Sequence, residues 1–144
     1  MEHKELITIL REGKDFELLQ DFCFYSKSLR EYKKDLGIFY HTNDKAEVFI
    51  RVPKGFRTDF GSIPQLFQSL LSPVGKPTKA YVVHDYFCTL ANKGKIKRKI
   101  ADNIFKVALK TLGCNIFKTY LLYVSVRLFS LIVIPIKKLS QKIF

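Results

Sequence analysis

The residue types that invite chemistry fall in one stretch, residues 52–102, which reads VPKGFRTDFGSIP, then AYVVHDYF, then IADNIF. Of the thirteen Asp and Glu in the chain, ten lie in residues 1–50; the other ninety-four residues hold only Asp59, Asp85 and Asp102, against seventeen Lys and Arg. Asp85 directly follows His84, the one histidine of that region. Carboxylates placed so sparingly in a basic region are better suited to binding or reacting than to solubilising a surface. His84 with a facing carboxylate suits general-base chemistry, because an acid fixes the ring's tautomer and stabilises its protonated form. Asp85 is suited to a hard cation, with carbonyls of the loop 55–64 as further ligands.

These roles depend on two helices. KAYVVHDYFCTLA is expected to start at Pro77 or Thr78 and to stop at Asn92 and Gly94. A second helix over roughly 96–112 carries Ile100, Ile104, Ala108 and Leu112 on one face, with Gly113 as its stop. The basic loop ANKGKIKRK joins them, and a short connection makes antiparallel neighbours. With the turn near residue 93, His84 and Asp102 each stand nine residues from it and so lie at matching heights. Tyr81, His84, Asp85 and Cys88 share one face at helical spacing.

Upstream, residues 5–12 and 15–25 are short apolar runs; FELLQDFCFY suits a strand or a short helix, with the clustered aromatics favouring strand. GIFYH and EVFIRV read as two strands, flanking the turn signal Thr42-Asn43-Asp44-Lys45, with Pro53 ending the second. Gly55, Gly61, Pro64 and Pro73 make 53–77 an irregular crossing segment. A third helix, from about Ile116 to Ile134, is apolar nearly all round, and a basic tail follows over 137–144. Residues 119–136 approach the roughly 20 residues of a spanning helix. Arg127 near the middle costs at least about 2.5 kcal/mol in a bilayer, so a buried core helix is expected, with membrane contact and then a true span as the alternatives. The expected architecture is α+β in one domain: strands over 1–52, a loop over 53–77 and three helices over 78–136.

An apolar share of 47% excludes a disordered polymer. Residues 1–50 carry net charge −2 and residues 51–144 net +14, so the second part attracts anions. The loop lysines Lys93, Lys95 and Lys97, with Arg98, are candidates for phosphate or lipid contact, or simply a solvated turn. Specific nucleic-acid binding is not expected, because no groove-reading module or interleaved aromatic pattern is present. Cys23, Cys88 and Cys114 are odd in number and lack CxxC spacing, which speaks for reduced thiols in a cytosol and against a zinc cluster or disulfide framework. The opening MEHKELITILREG has no long apolar core and does not read as a secretory signal.

Each candidate has a plainer reading. His84–Asp85 also suits a buried pair that braces helices, and Thr58-Asp59 before Gly61-Ser62 suits a turn or helix cap. A phosphohydrolase metal site built from His41, His84, Asp85 and Asp102 is disfavoured, because His41 ends a strand-like run rather than lying on a helix.

The VPKGFRTDFGSIP, AYVVHDYF and ADNIFKVALKTLG segments, in that order, resemble a phage- and prophage-associated family known as domain of unknown function 1353. Its pattern is a VPxGFxTDxxSxP loop, an AxxxHDxxY helix and an ADxxF helix, and the resemblance covers roughly residues 15–130. Over about fifty residues the helix pair is also similar to the core of phospholipase A2, especially its small prokaryotic forms. That resemblance implies His84 as the base that activates water and Asp102 as its orienting partner. It implies Asp85 as a calcium ligand, with Asp59 and the loop residues Thr58, Gly61 and Ser62 supplying further oxygens, and calcium polarising the ester carbonyl. The resulting expectation is a phage-type hydrolase in the host cytoplasm or virion, acting at an anionic lipid surface. The rival is a non-enzymatic virion, tail or host-interaction protein, partnered by other phage proteins, in which the same residues only brace the helices.

Overall fold

The computed structural model describes residues 5–11, 15–58 and 78–143. Six short strands come first: β1 (Thr8–Arg11), β2 (Asp15–Leu18), β3 (Phe22–Tyr25), β4 (His41–Thr42), β5 (Val48–Val52) and β6 (Arg57–Thr58). They form two antiparallel three-stranded sheets, ordered β1-β2-β6 and β3-β5-β4. Between β3 and β4 the chain makes 3-10 turns over Lys27–Tyr32 and Gly37–Phe39, around the short helix α1 (Lys33–Leu36). Among the described residues four helical segments follow: α2 (Thr78–Asn92), α3 (Arg98–Thr111), α4 (Ile116–Leu128) and α5 (Ile134–Ile143), the last two joined by a π turn over Phe129–Val133. The class is α+β, as the sequence indicated.

A short bend carries the chain from one sheet into the other. Pro53 and Phe56 close a turn at 3.2 Å, with Gly55 at φ +88°, a backbone conformation that costs a side-chain-bearing residue strain. The Asp21 carboxylate accepts the Lys54 N–H at 2.7 Å and pins that turn. Gly55 N–H donates to the Leu18 carbonyl, and Leu18 N–H to the Phe56 carbonyl, both at 2.9 Å. The bend therefore delivers β6 onto β2 in a fixed register, with Thr58 opposite Phe16.

The core is shared by sheet and helices. Phe22, Phe24, Ile50 and Val52 from the strands join Leu29 and Leu36, and then Val82, Val83 and Phe87 of α2. At its centre lies α3, whose Ile100, Ala101, Ile104, Phe105, Ala108 and Leu109 are all buried. Past Asn92, Gly94 at φ +76° reverses the chain, and the Lys95 N–H closes back onto the Leu90 carbonyl at 2.9 Å. That compact reversal lays α2 against α3. At the far end of α3, Thr111 and Ser26 share a side-chain hydrogen bond of 2.8 Å, tying the helix to the chain that leaves β3.

Several expectations change. GIFYH is not a strand: Gly37–Phe39 is a 3-10 turn and pairing begins only at His41. Gly37 at φ +54° favours a turn over an extended ladder there. The segment read as a loop from residue 53 contains β6. The basic tail is helical through Ile143. Pro135 does not stop it: the π turn just before it, closed by the Ile134 N–H on the Phe129 carbonyl, loosens the coil at the residue that cannot donate. The third helix is no core helix: only 24% of its most apolar window is buried.

Candidate active site

The turn at Gly94 sets the heights of the two central helices, and the site is built where they face each other. His84 Nε2 lies 2.8 Å from Asp102 Oδ1. An ionised carboxylate only accepts, so Nε2 carries the proton and Nδ1 keeps the lone pair. Among the described residues no hydrogen bond engages Nδ1, and the side chain retains 12% exposure. Phe105 covers one side of the imidazole, with ring centroids 4.7 Å apart, and Tyr81 stacks on Phe105 in turn at 5.9 Å. Burial against these rings lowers the pKa of His84, and the nearby Arg98 adds to this, while the hydrogen bond and charge of Asp102 oppose it. The lowered pKa favours a neutral ring near pH 7, the form a general base requires.

Asp102 has no solvent exposure. Its second oxygen accepts from Arg127 at 2.7 Å and from the Ser130 hydroxyl at 2.8 Å. Burial by itself pushes this carboxyl up; the hydrogen bonds from His84, Ser130 and Arg127 outweigh it and hold it below the usual carboxylate range. A buried charge costs several kcal/mol unless paired and hydrogen-bonded, and here one cation and two further donors meet that need. Arg98 extends the network, donating from Nε to Ser130 at 3.1 Å and from its terminal nitrogen to Asn92 at 3.4 Å.

Asp85 sits one residue from His84 and turns toward the sheet, where Thr58 donates its hydroxyl to Oδ2 at 2.5 Å. The bend pinned by Asp21 thus ends beside Asp85. Thr58 and Asp85 offer oxygen donors, the kind a hard cation takes. Asp59, Gly61 and Ser62, the other expected loop ligands, lie outside the described residues.

One family model, described as "Protein of unknown function (DUF1353)", matches residues 35–126. The chain belongs to the DUF1353 family. No curated protein and no solved structure matches it. The DUF1353 match takes in His84, Asp85 and Asp102 and stops one residue short of Arg127.

Cys88, one turn after His84, places Sγ 3.2 Å from the same Nε2 that meets Asp102. A Cys-His-Asp nucleophilic triad needs thiol and acid on opposite ring nitrogens, so this geometry excludes it. Burial also pushes the thiol up to about 12, which keeps it protonated. Donor atoms of His84, Cys88 and Asp102 all lie within 4.8 Å of one another. This nitrogen, sulfur and oxygen set is one that zinc accepts and calcium does not. Spacing along the sequence missed it because its donors come from two helices.

Other candidates are dispersed. His41 stacks on Phe49 at 5.3 Å, on a strand of the β3-β5-β4 sheet. Lys93, Lys95 and Lys97 are exposed on the α2–α3 turn. Arg98, expected with them as a phosphate contact, instead turns inward to Ser130 and Asn92. Arg127 and Ser130 were missed as functional residues. The only signal for them was an arginine inside an apolar run, which calls for a buried anion.

Proposed function

We propose that the protein is a hydrolase in which His84 Nδ1 removes a proton from water that attacks an ester, in the manner of phospholipase A2. The single observation carrying this reading is the 2.8 Å contact of His84 Nε2 with a buried carboxylate, which leaves Nδ1 as the lone-pair nitrogen of a partly accessible ring. Asp102 holds the tautomer and stabilises the imidazolium formed during attack. Arg127 and Ser130 hold Asp102. Phe105 limits water to one side of the ring. Calcium, when bound, would be held by Asp85 with the neighbouring Thr58 oxygen and would polarise the ester carbonyl. The basic surface suits an ester carried by anionic lipid, which fits a phage-encoded protein acting on the host cell.

One observation favours the rival reading, a non-enzymatic phage protein braced by the same residues. Asp102 collects donors from three points on two neighbouring helical segments and the π turn, as a structural clamp does. Release of fatty acid from phosphatidylglycerol vesicles decides between them. The hydrolase reading expects calcium-dependent release by the wild type and a loss of at least 100-fold in His84→Ala that remains folded. No release by the wild type, with His84→Ala unfolding and calcium leaving Tm unchanged, supports the brace.

A further inference from the structure

The face of α4–α5 that points away from α3 is apolar and bare. Phe117, Val124, Leu128, Leu131 and Ile136 are each between 49% and 76% exposed, while Thr119, Leu122, Ser125 and Val126 bury the opposite side. A contiguous exposed apolar patch marks an interaction surface rather than ordinary surface scatter. In an unbroken α-helix of about 3.6 residues per turn, Ile136 would have drifted to the side opposite Ile116. The π turn over Phe129–Val133 winds more slowly and takes back part of that drift.

Charge identifies the occupant. Residues 103–144 contain seven Lys and Arg and no Asp or Glu. Lys118 and Lys138 on the helix are exposed. Beside the stripe, Lys106 lies over the Tyr123 ring at 4.5 Å and Lys110 over the Tyr120 ring at 5.3 Å. Tyrosines and lysines bordering an apolar strip suit the boundary between lipid tails and headgroups, with the ammonium groups reaching outward. A second copy docking through the same stripe would set lysine against lysine along its border, whereas an anionic bilayer complements them. Spanning is disfavoured, because Arg127 and Ser130 are committed to Asp102 inside the protein.

We infer that α4–α5 is a docking surface that lies flat on anionic phospholipid, its apolar stripe in the acyl boundary and its lysines on the headgroups. Helices of this kind bind by buried apolar area plus attraction to anionic lipid. This deepens the hydrolase reading, since the docked helix also supplies the partners of Asp102, but the docking itself does not depend on catalysis.

The test is co-sedimentation of the full chain with vesicles of phosphatidylcholine, with and without 30% phosphatidylglycerol (~30%, a composition giving a strongly anionic surface). Phe117→Glu, Val124→Glu and Leu131→Glu are combined in one variant, all at exposed positions. The wild type is expected to bind anionic vesicles at least ten-fold better than neutral ones, to lose binding in high salt, and to be released by alkaline carbonate. The triple variant is expected to keep its Tm and lose at least ten-fold in binding. Equal binding by the triple variant overturns the inference, as does resistance to carbonate, or a salt-stable dimer of the wild type that ignores vesicles. His84→Ala separates the two proposals: vesicle binding without hydrolysis by any form removes the enzyme and keeps the surface. Hydrolysis of a soluble ester without vesicle binding does the reverse.

Discussion

Two helical segments of this protein invert the usual relation between composition and burial. α3 contains Arg98, Lys99, Lys106, Lys110 and Asp102, yet eight of its fourteen residues are buried. α4 is nearly all apolar, yet only Thr119, Leu122, Ser125 and Val126 of its thirteen residues are buried. Position in the packing decides the difference. α3 is flanked by α2 and α4, so even its carboxylate is enclosed, whereas among the described residues α4 packs chiefly on α3. The apolar face left over is then available for a partner, and the polar group enclosed in α3 is the one with chemical potential.

The largest test of this contrast is Asp102→Ala. It leaves Arg127 and His84 facing an empty space in a buried setting, and removing one partner of a buried pair costs about 3–5 kcal/mol. Urea unfolding reads this directly, and a loss below about 1 kcal/mol would mean that the carboxylate is not enclosed. Next comes a matched pair of truncations. Phe105→Ala on α3 is expected to cost about 3–4 kcal/mol, whereas Leu131→Ala, 61% exposed on the π turn, should stay within about 0.5 kcal/mol. Similar losses at both sites would erase the distinction between core helix and bare face.

The smallest effect is a pH dependence. His84 is lowered from its ordinary 6.5, first by burial, so between the folded value and 6.5 the unfolded chain binds the extra proton. Stability therefore rises with pH across that window and falls as pH drops through it. His41 is lowered in the same direction by burial and Arg51, so Tm is followed in His84→Gln and His41→Gln separately, each expected to remove part of the slope. Asp102, held low, acts in a lower window: its contribution is present above the ordinary carboxylate range and is lost as pH falls through its folded value. A flat Tm between pH 5 and 7 (roughly the histidine range) in the wild type would contradict the buried neutral ring.

Much of the site was legible in the sequence because its geometry is local. Helical periodicity, Gly94 and a short loop are enough to bring His84 opposite Asp102. Arg127 and Ser130 were not legible, because they reach Asp102 from 25 and 28 residues away, and nothing in local periodicity fixes that crossing. The π turn escaped for a different reason: its one local signal, Pro135 just past it, is equally compatible with a kink or a helix end. GIFYH misled because aromatic content suggested a strand where Gly37 makes a turn. The burial of the third helix was overestimated because hydrophobicity reports what a face could do, not whether a neighbour is there to cover it.

The hydrogen bond between Ser26 and Thr111 lies nine residues along α3 from Asp102, some 13–14 Å at about 1.5 Å per residue. It works as an index mark at the remote end of a shaft. A slip of one residue in α3 would turn its acid roughly 100° away from the imidazole, and that same slip would break the Ser26 latch. Alignment at the reactive end is thus checked by a contact with the strand half of the chain, so damage to Ser26 should be felt as misorientation of a carboxylate it never touches.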